Sequence, residues 1–146
     1  MAEDVVKDLT MWAKTKGSII ILNKGRGKFY IHSDPIKIRD VIENFISNAV
    51  KYNPSSKGQI EVSIEREEGF VKLRCKDNSI GVEKEDNEKV FTKFFRSDKA
   101  TNLDTRGTGL GLYLSKAIIE QSGGTIGFEK NEGSGSTFYF KMPFVE

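Results

Sequence analysis

The sequence predicts an α+β fold: a two-layer sandwich with about three helices on one face of a mostly antiparallel, mixed sheet. Three observations carry that reading. A long apolar stripe at helical spacing occupies the first half of the chain. Two pairs of alternating segments each flank a short turn. Helical and alternating stretches follow one another in mixed order rather than as regular strand–helix units.

The elements follow in order. Val5, Val6, Leu9, Trp12 and Ala13 lie at helical spacing between Asp4 and Lys16, and Gly17 ends that helix. Ile19 to Leu22 reads as a short buried strand, and Gly25-Arg26-Gly27 as a turn into a second strand at Lys28–His32. Asp34 is a good N-cap with Pro35 in the first turn. From there Ile38, Val41, Ile42, Phe45, Ile46, Ala49 and Val50 form one stripe, closed by Asn53-Pro54. Ile60, Val62 and Ile64 alternate, Glu67-Glu68-Gly69 turns, and Val71, Leu73 and Cys75 alternate back. A short helix is expected to hold Val90, Phe91, Phe94 and Phe95. The polar run from Ser97 to Arg106 then leads into a glycine-rich segment and a helix carrying Leu110, Leu114, Ala117 and Ile118. Strands at Thr125–Lys130 and Ser136–Met142 meet across Asn131-Glu132-Gly133-Ser134-Gly135.

Composition narrows the class. The chain has 146 residues, 37% hydrophobic and 30% charged, which suits one soluble globular domain rather than a disordered segment. A net charge of +2 gives no general pull toward nucleic acid or an anionic membrane. One cysteine excludes an internal disulfide and a cysteine-based zinc site, and points to a reducing compartment. No apolar run approaches the ~20 residues of a membrane helix.

Four features carry chemistry. On the long helix, Asn44, Asn48 and Lys51 fall together beside the apolar stripe. Residues of this kind are often simply solvated, but a carboxamide oxygen suits Mg²⁺ and an ammonium suits phosphate. Asp77 continues the core-facing phase of Val71, Leu73 and Cys75. It is either a turn-former just past the strand or an inward carboxylate awaiting donors, with Gly81 allowing a flat ring close to the backbone. Gly107-Thr108-Gly109-Leu110-Gly111 precedes a helix, where freed N–H groups and the helix terminus favour an anion. The segment is neither G-x-G-x-x-G nor a Walker motif, and Gly25-Arg26-Gly27-Lys28 reads as a mere turn. Ser136 is in phase with Phe138, Phe140 and Met142, so its hydroxyl faces inward.

In order, the chain reads Asn44-Phe45-Ile46-Ser47-Asn48-Ala49-Val50-Lys51-Tyr52, Asp77-Asn78-Ser79-Ile80-Gly81-Val82, Val90-Phe91-Thr92-Lys93-Phe94-Phe95-Arg96, Gly107-Thr108-Gly109-Leu110-Gly111-Leu112 and Gly135-Ser136-Thr137-Phe138. This resembles the asparagine, first glycine, phenylalanine and second glycine boxes of sensor histidine kinases. Those belong to the Bergerat-fold ATPases, together with gyrase, Hsp90 and MutL. The resemblance runs from about residue 18 to Pro143.

The resemblance implies an ATP site and an activity. Asp77 would take the adenine amino group with Gly81 beneath the ring, and Tyr52, Ile80 and Leu112 would wall the base. Asn48 would hold Mg²⁺, with Asn44 and Lys51 at the phosphates. Gly107, Gly109 and Gly111 would cradle the phosphates under a mobile lid formed by Arg96 and the loop to Arg106. Ser136 would join Asp77 through water. The true ATPases carry a glutamate where Asn44 stands. Asparagine cannot take a proton at neutral pH, so transfer to another acceptor is favoured over hydrolysis.

In one place the sequence departs from the pattern: the middle glycine of D-x-G-x-G is Ser79. If that position needs positive φ, serine costs roughly 1–2 kcal/mol. The phosphoacceptor is also missing. His32 is the sole histidine, expected at a strand end rather than on a helix beside an acidic neighbour. The implied protein is therefore the catalytic domain, residues 18–146, preceded by residues 1–17 as a linker helix from a dimerisation domain. Its partners would be the histidine on that domain and, through the parent, a response regulator. The domain would be cytoplasmic, with the parent anchored in the membrane or not. Two alternatives stand beside this reading. An anti-sigma-type serine kinase shares the pocket but not the phenylalanine box, and a nucleotide-sensing module without transfer is kept open by Ser79.

Overall fold

Asp34 starts the helix that organises the fold. Its Oδ1 accepts from Ile36 N at 2.9 Å and Lys37 N at 3.3 Å, and Pro35 needs no donor partner in the first turn. The computed structural model describes residues 1–54, 56–98, 101 and 109–146. In chain order these form α1 (Ala2–Thr15), β1 (Ser18–Lys24), α2 (Pro35–Lys51), β2 (Gly58–Glu67), β3 (Phe70–Asp77), a 3₁₀ turn (Lys84–Asp86), α3 (Gly111–Gln121), β4 (Thr125–Lys130) and β5 (Ser136–Pro143).

The sheet runs β1-β2-β3-β5-β4. Three of its pairings are antiparallel, and β1–β2 is parallel because α2 makes the crossover between them. Turn chemistry sets the central register. Glu68 (φ 42°) and Gly69 (φ 87°) both take positive φ at the β2–β3 hairpin, which pairs Val62 with Cys75 and Ile60 with Asp77. On β5, Phe138 and Phe140 then face Cys75 and Leu73.

The core lies between this inner face and α2. Ile38, Val41, Ile42, Phe45, Ile46, Ala49 and Val50 are all buried, as their spacing requires. Each fully buried branched or aromatic side chain contributes about 1.5–3 kcal/mol by transfer from water. Phe45 sits at the centre, its ring 5.7 Å from Phe138 and 6.2 Å from Phe140. Truncating it to alanine costs about 3–5 kcal/mol. Helix α1 adds Val5 and Ala13 to the same core.

Four local expectations are corrected. Lys28–His32 is not a strand, although Phe29 and Ile31 alternate inward as a strand would. Apolar alternation requires only one covered side, and among the described residues the segment has no ladder partner; Tyr30 O accepts one bond from Val145 N at 2.9 Å. Strand β1 is not buried through its length. It is an edge strand with Ile19 and Ile21 exposed on the face opposite the helices. The segment holding Val90 to Phe95 is a chain of turns, with Thr92 N bonded to Lys89 O and Phe95 N to Thr92 O. Phe94 has φ 64°, which no right-handed helix permits, and its ring is exposed. In α3 the fully buried positions are Ser115 and Ile119, while Leu114 is exposed.

Candidate functional site

The last two turns of α2, the end of β3 and the start of α3 converge on one cavity. Its lining includes Asn44, Asn48, Lys51 and Tyr52 from α2 and its C-cap, Asp77 from β3, and Ile80 and Gly81 beyond it. Arg96, Gly109, Gly111, Leu112 and Ser136 complete the set. The residues singled out from sequence are thus brought together, Gly107 excepted: it lies outside the described residues, as do Thr108 and the lid residues Lys99, Leu103 and Arg106. His32 does not line the cavity.

Asp77 is 6% exposed and stands just past the last pair of the β3–β5 ladder, Lys76 with Thr137. There its carboxylate accepts Ser79 N at 3.0 Å, Ser79 Oγ at 2.6 Å and Ser136 N at 3.3 Å, all on Oδ1. Burial raises its pKa above the ordinary value, and the hydrogen bonds from Ser79 and Ser136 oppose that rise. The direct link to Ser136 is through the backbone N–H rather than the side chain. Ser79 has no positive φ, so the feared backbone strain is absent; the side chain is instead part of the carboxylate's shell.

Close backbone packing holds Asp77 in place. Gly135 (φ 86°) lies so near that a Cβ on it would overlap the Asp77 carbonyl. Gly81 (φ 72°) packs on Gly135 in turn, where a Cβ would stand 3.2 Å from its carbonyl oxygen. Asn131 Nδ2 donates to Asp77 O at 2.7 Å, and Asn131 Oδ1 accepts from Thr137 Oγ1 at 2.7 Å. Sequence reasoning missed Asn131 because its partner lies 54 positions away. It also missed Val82, Asp86, Val90, Phe95 and Phe138 as lining residues. Phe138 is legible in the sequence as core alternation and as the end of the Gly135-to-Phe138 segment but not as a cavity wall, and Phe95 is expected on a helix that does not form.

On the opposite wall Asn44 Nδ2 donates to Ser115 Oγ at 3.0 Å, and a Cβ on Gly111 would strike the Asn44 amide at 2.3 Å. Gly109 (φ 72°) is pinned against the backbone of Phe94 and Phe95, with a Cβ 2.6 Å from the Phe94 carbonyl carbon. The N-terminus of α3, at Gly111, therefore opens on the cavity beside Asn44, and its partial positive charge suits an anion there. Arg96 Nη2 donates to Tyr52 Oη at 3.3 Å, with its guanidinium 5.9 Å from the Tyr52 ring centre.

The arrangement has an acidic, apolar end and a cationic, amide-rich end. Among the described residues no three His, Cys, Asp or Glu side chains gather around one point. The hard-oxygen donors near the cationic end are the carboxamides of Asn44 and Asn48, which fit a Mg²⁺ that keeps water and phosphate oxygens as its other ligands.

Known proteins match this chain closely. The family described as "Histidine kinase-, DNA gyrase B-, and HSP90-like ATPase" matches residues 33–146. Sensor histidine kinase WalK of Bacillus subtilis is 42% identical over 119 residues, covering 80% of this chain and 19% of WalK. Sensor-like histidine kinase SenX3 of Mycolicibacterium smegmatis is 38% identical over 102 residues, covering 70% of this chain and 26% of its own length. Full-length ShkA in complex with AMPPNP superposes with a TM-score of 0.82 at 26% identity, over 99% of this chain and 29% of ShkA. The catalytic domain of histidine kinase ThkA superposes at 0.83 and 24% identity, over 97% of this chain and 89% of that one, a likeness of fold.

Proposed function

Because the chain belongs to the histidine kinase-, DNA gyrase B- and HSP90-like ATPase family, we propose that it is the ATP-binding catalytic domain of a sensor histidine kinase. It binds ATP and donates the γ-phosphate to a histidine on a separate dimerisation domain, from which the parent passes it to a response regulator. The observation that carries this reading is Asp77: a buried carboxylate at the apolar end of the cavity which, among the described residues, accepts three hydrogen bonds on Oδ1 and none on its second oxygen.

In this reading Asp77 accepts the adenine amino group, with the backbone at Gly81 beneath the ring and Tyr52, Ile80 and Leu112 around it. Ser136 supports Asp77 from β5. Gly107, Gly109 and Gly111 let backbone N–H groups approach the phosphates at the start of α3. Lys51 and Arg96 supply positive charge there, and Asn48 offers its carboxamide oxygen to Mg²⁺, which when bound neutralises phosphate charge. Asn44, held by Ser115, orients the same end without being able to take a proton from water. Transfer to a positioned nucleophile is therefore favoured over hydrolysis.

Residues 1–17 are read as the linker helix from the dimerisation domain. No helix among the described residues is long and apolar enough to cross a membrane. The reading places this domain in the cytoplasm, with any membrane anchor elsewhere in the parent. Calorimetry with Mg·ATP and Mg·GTP tests the base assignment. ATP should bind and GTP, which presents a carbonyl where adenine has its amine, should bind poorly. Equal affinities would contradict it.

A further inference from the structure

We propose that Ser79 is a positioning residue for base recognition: its hydroxyl locks the Asp77 carboxylate in one orientation, leaving Oδ2 for the adenine amino group. The inference rests on the ATP-site reading above and adds a role to the position where this chain departs from the glycine of the D-x-G-x-G pattern.

The geometry is specific. Ser79 Oγ donates to Asp77 Oδ1 at 2.6 Å while Ser79 N donates to the same oxygen at 3.0 Å. Ser79 Oγ in turn accepts a long bond from Gly81 N at 3.5 Å. The hydroxyl thus stands between the carboxylate and the backbone turn expected beneath the base. Among the described residues every hydrogen bond accepted by the carboxylate ends on Oδ1. A glycine here would keep the two backbone donors but lose the shortest of the three bonds and the tie to Gly81. Ser79 is itself 9% exposed and lines the cavity, and it adopts no positive φ, so alanine or glycine can replace it without a change of backbone region.

The hydroxyl also favours the ionised carboxylate, opposing the effect of burial. Other ionisable groups near Asp77 are Cys75 on β3, and Lys51, Asp86 and Arg96 around the cavity. None of these changes when Ser79 is replaced.

Calorimetric titration of the 146-residue chain with Mg·ATP from pH 5 to 8 tests the proposal, using Ser79→Ala, Ser79→Gly, Ser79→Thr and Asp77→Asn. Titration of ATP itself cancels when variants are compared at one pH. Ser79→Ala and Ser79→Gly should bind roughly tenfold more weakly near neutral pH, the scale of one hydrogen bond to a charged group. Their loss of binding on acidification should begin at higher pH than in the parent chain, and Ser79→Thr should restore both properties. A purely structural role would not move that acid limb. If Ser79→Ala does not fold, Ser79→Gly carries the same test. Unchanged affinity and an unchanged limb, with Asp77→Asn still impaired, overturn the role of Ser79 alone. Full ATP affinity in Asp77→Asn overturns the base-recognition reading and this inference together.

Discussion

The side-chain amide of Asn44 donates a 3.0 Å hydrogen bond to Ser115 Oγ, joining the middle of α2 to the first turns of α3. Ser115 is 2% exposed, so its hydroxyl has little water to fall back on. The contact ties the cationic, amide-rich end of the cavity to the helix whose N-terminus opens on it. It also fixes the distance between Asn44 and Gly111, whose missing Cβ makes room for the Asn44 amide.

Ser115→Ala should therefore cost about 0.5–1.5 kcal/mol of stability in chemical denaturation, the net value of one hydrogen bond. Phosphotransfer to an added dimerisation domain should fall more than ATP affinity does, since Asn44 loses its orientation rather than the base its partner. Equal losses in both would place the role of the contact in folding alone.

Two glycines with nearly the same φ should behave differently. Gly109 (φ 72°) has the Phe94 carbonyl carbon 2.6 Å from a would-be Cβ, whereas Gly123 (φ 82°) faces nothing within 4 Å. Gly123→Ala should cost only the strain of the left-handed region, about 1–2 kcal/mol. Gly109→Ala should cost that strain plus a displaced backbone at Phe94 and Phe95, and so reduce ATP binding as well. Thermal melting and calorimetry on both variants check this; matching effects on ATP affinity would contradict it.

Asp77 makes stability and binding depend on pH in opposite ways. Its folded pKa is raised above the ordinary 3.8, so between these values the folded state holds more protons than the unfolded one. The stability slope is then negative: the contribution is present below pH 3.8 and is lost as pH rises through the folded value. The stability of the parent chain relative to Asp77→Asn should fall as pH is raised from 3.8 in denaturant titrations. A relative rise would reverse the sign. Asp77→Asn should also weaken ATP binding by ~1.5–3 kcal/mol near neutral pH.

Asn48→Ala should abolish Mg²⁺-dependent phosphotransfer while circular dichroism shows the fold retained, because the side chain lines the cavity and is only half-buried. Undiminished transfer in the variant would move the metal site elsewhere.

What the sequence disclosed depended on whether the deciding interaction was periodic or non-local. Helix α2 was legible because its seven buried positions repeat with the helical period and both ends carry punctuation. The inward phase of Asp77 and Ser136 was legible for the same reason, by counting alternate residues along β3 and β5. Lys28–His32 was misread because alternation reveals a covered side and not a partner strand. The segment from Val90 to Phe95 was misread because periodicity carries no dihedral information, and Phe94 at φ 64° ends any helix there. The hydroxyl of Ser79 and the amide of Asn131 act through geometry: one folds back on Asp77 two residues away, and the other reaches Asp77 O across the β4–β5 turn. Neither contact has a pattern that composition or spacing displays.

Incubating the chain with labelled Mg·ATP, alone and with a separate dimerisation domain, tests whether it is a catalytic domain whose acceptor lies on another domain. His32 precedes α2, and Asn48 lies roughly 20 Å further along that helix at 1.5 Å per residue, so this histidine is far from the metal position proposed at Asn48. The chain by itself should take no label and hydrolyse ATP slowly, and acid-labile phosphate should appear on the histidine of the added domain. Acid-labile phosphate on His32, lost in His32→Gln, would contradict this expectation.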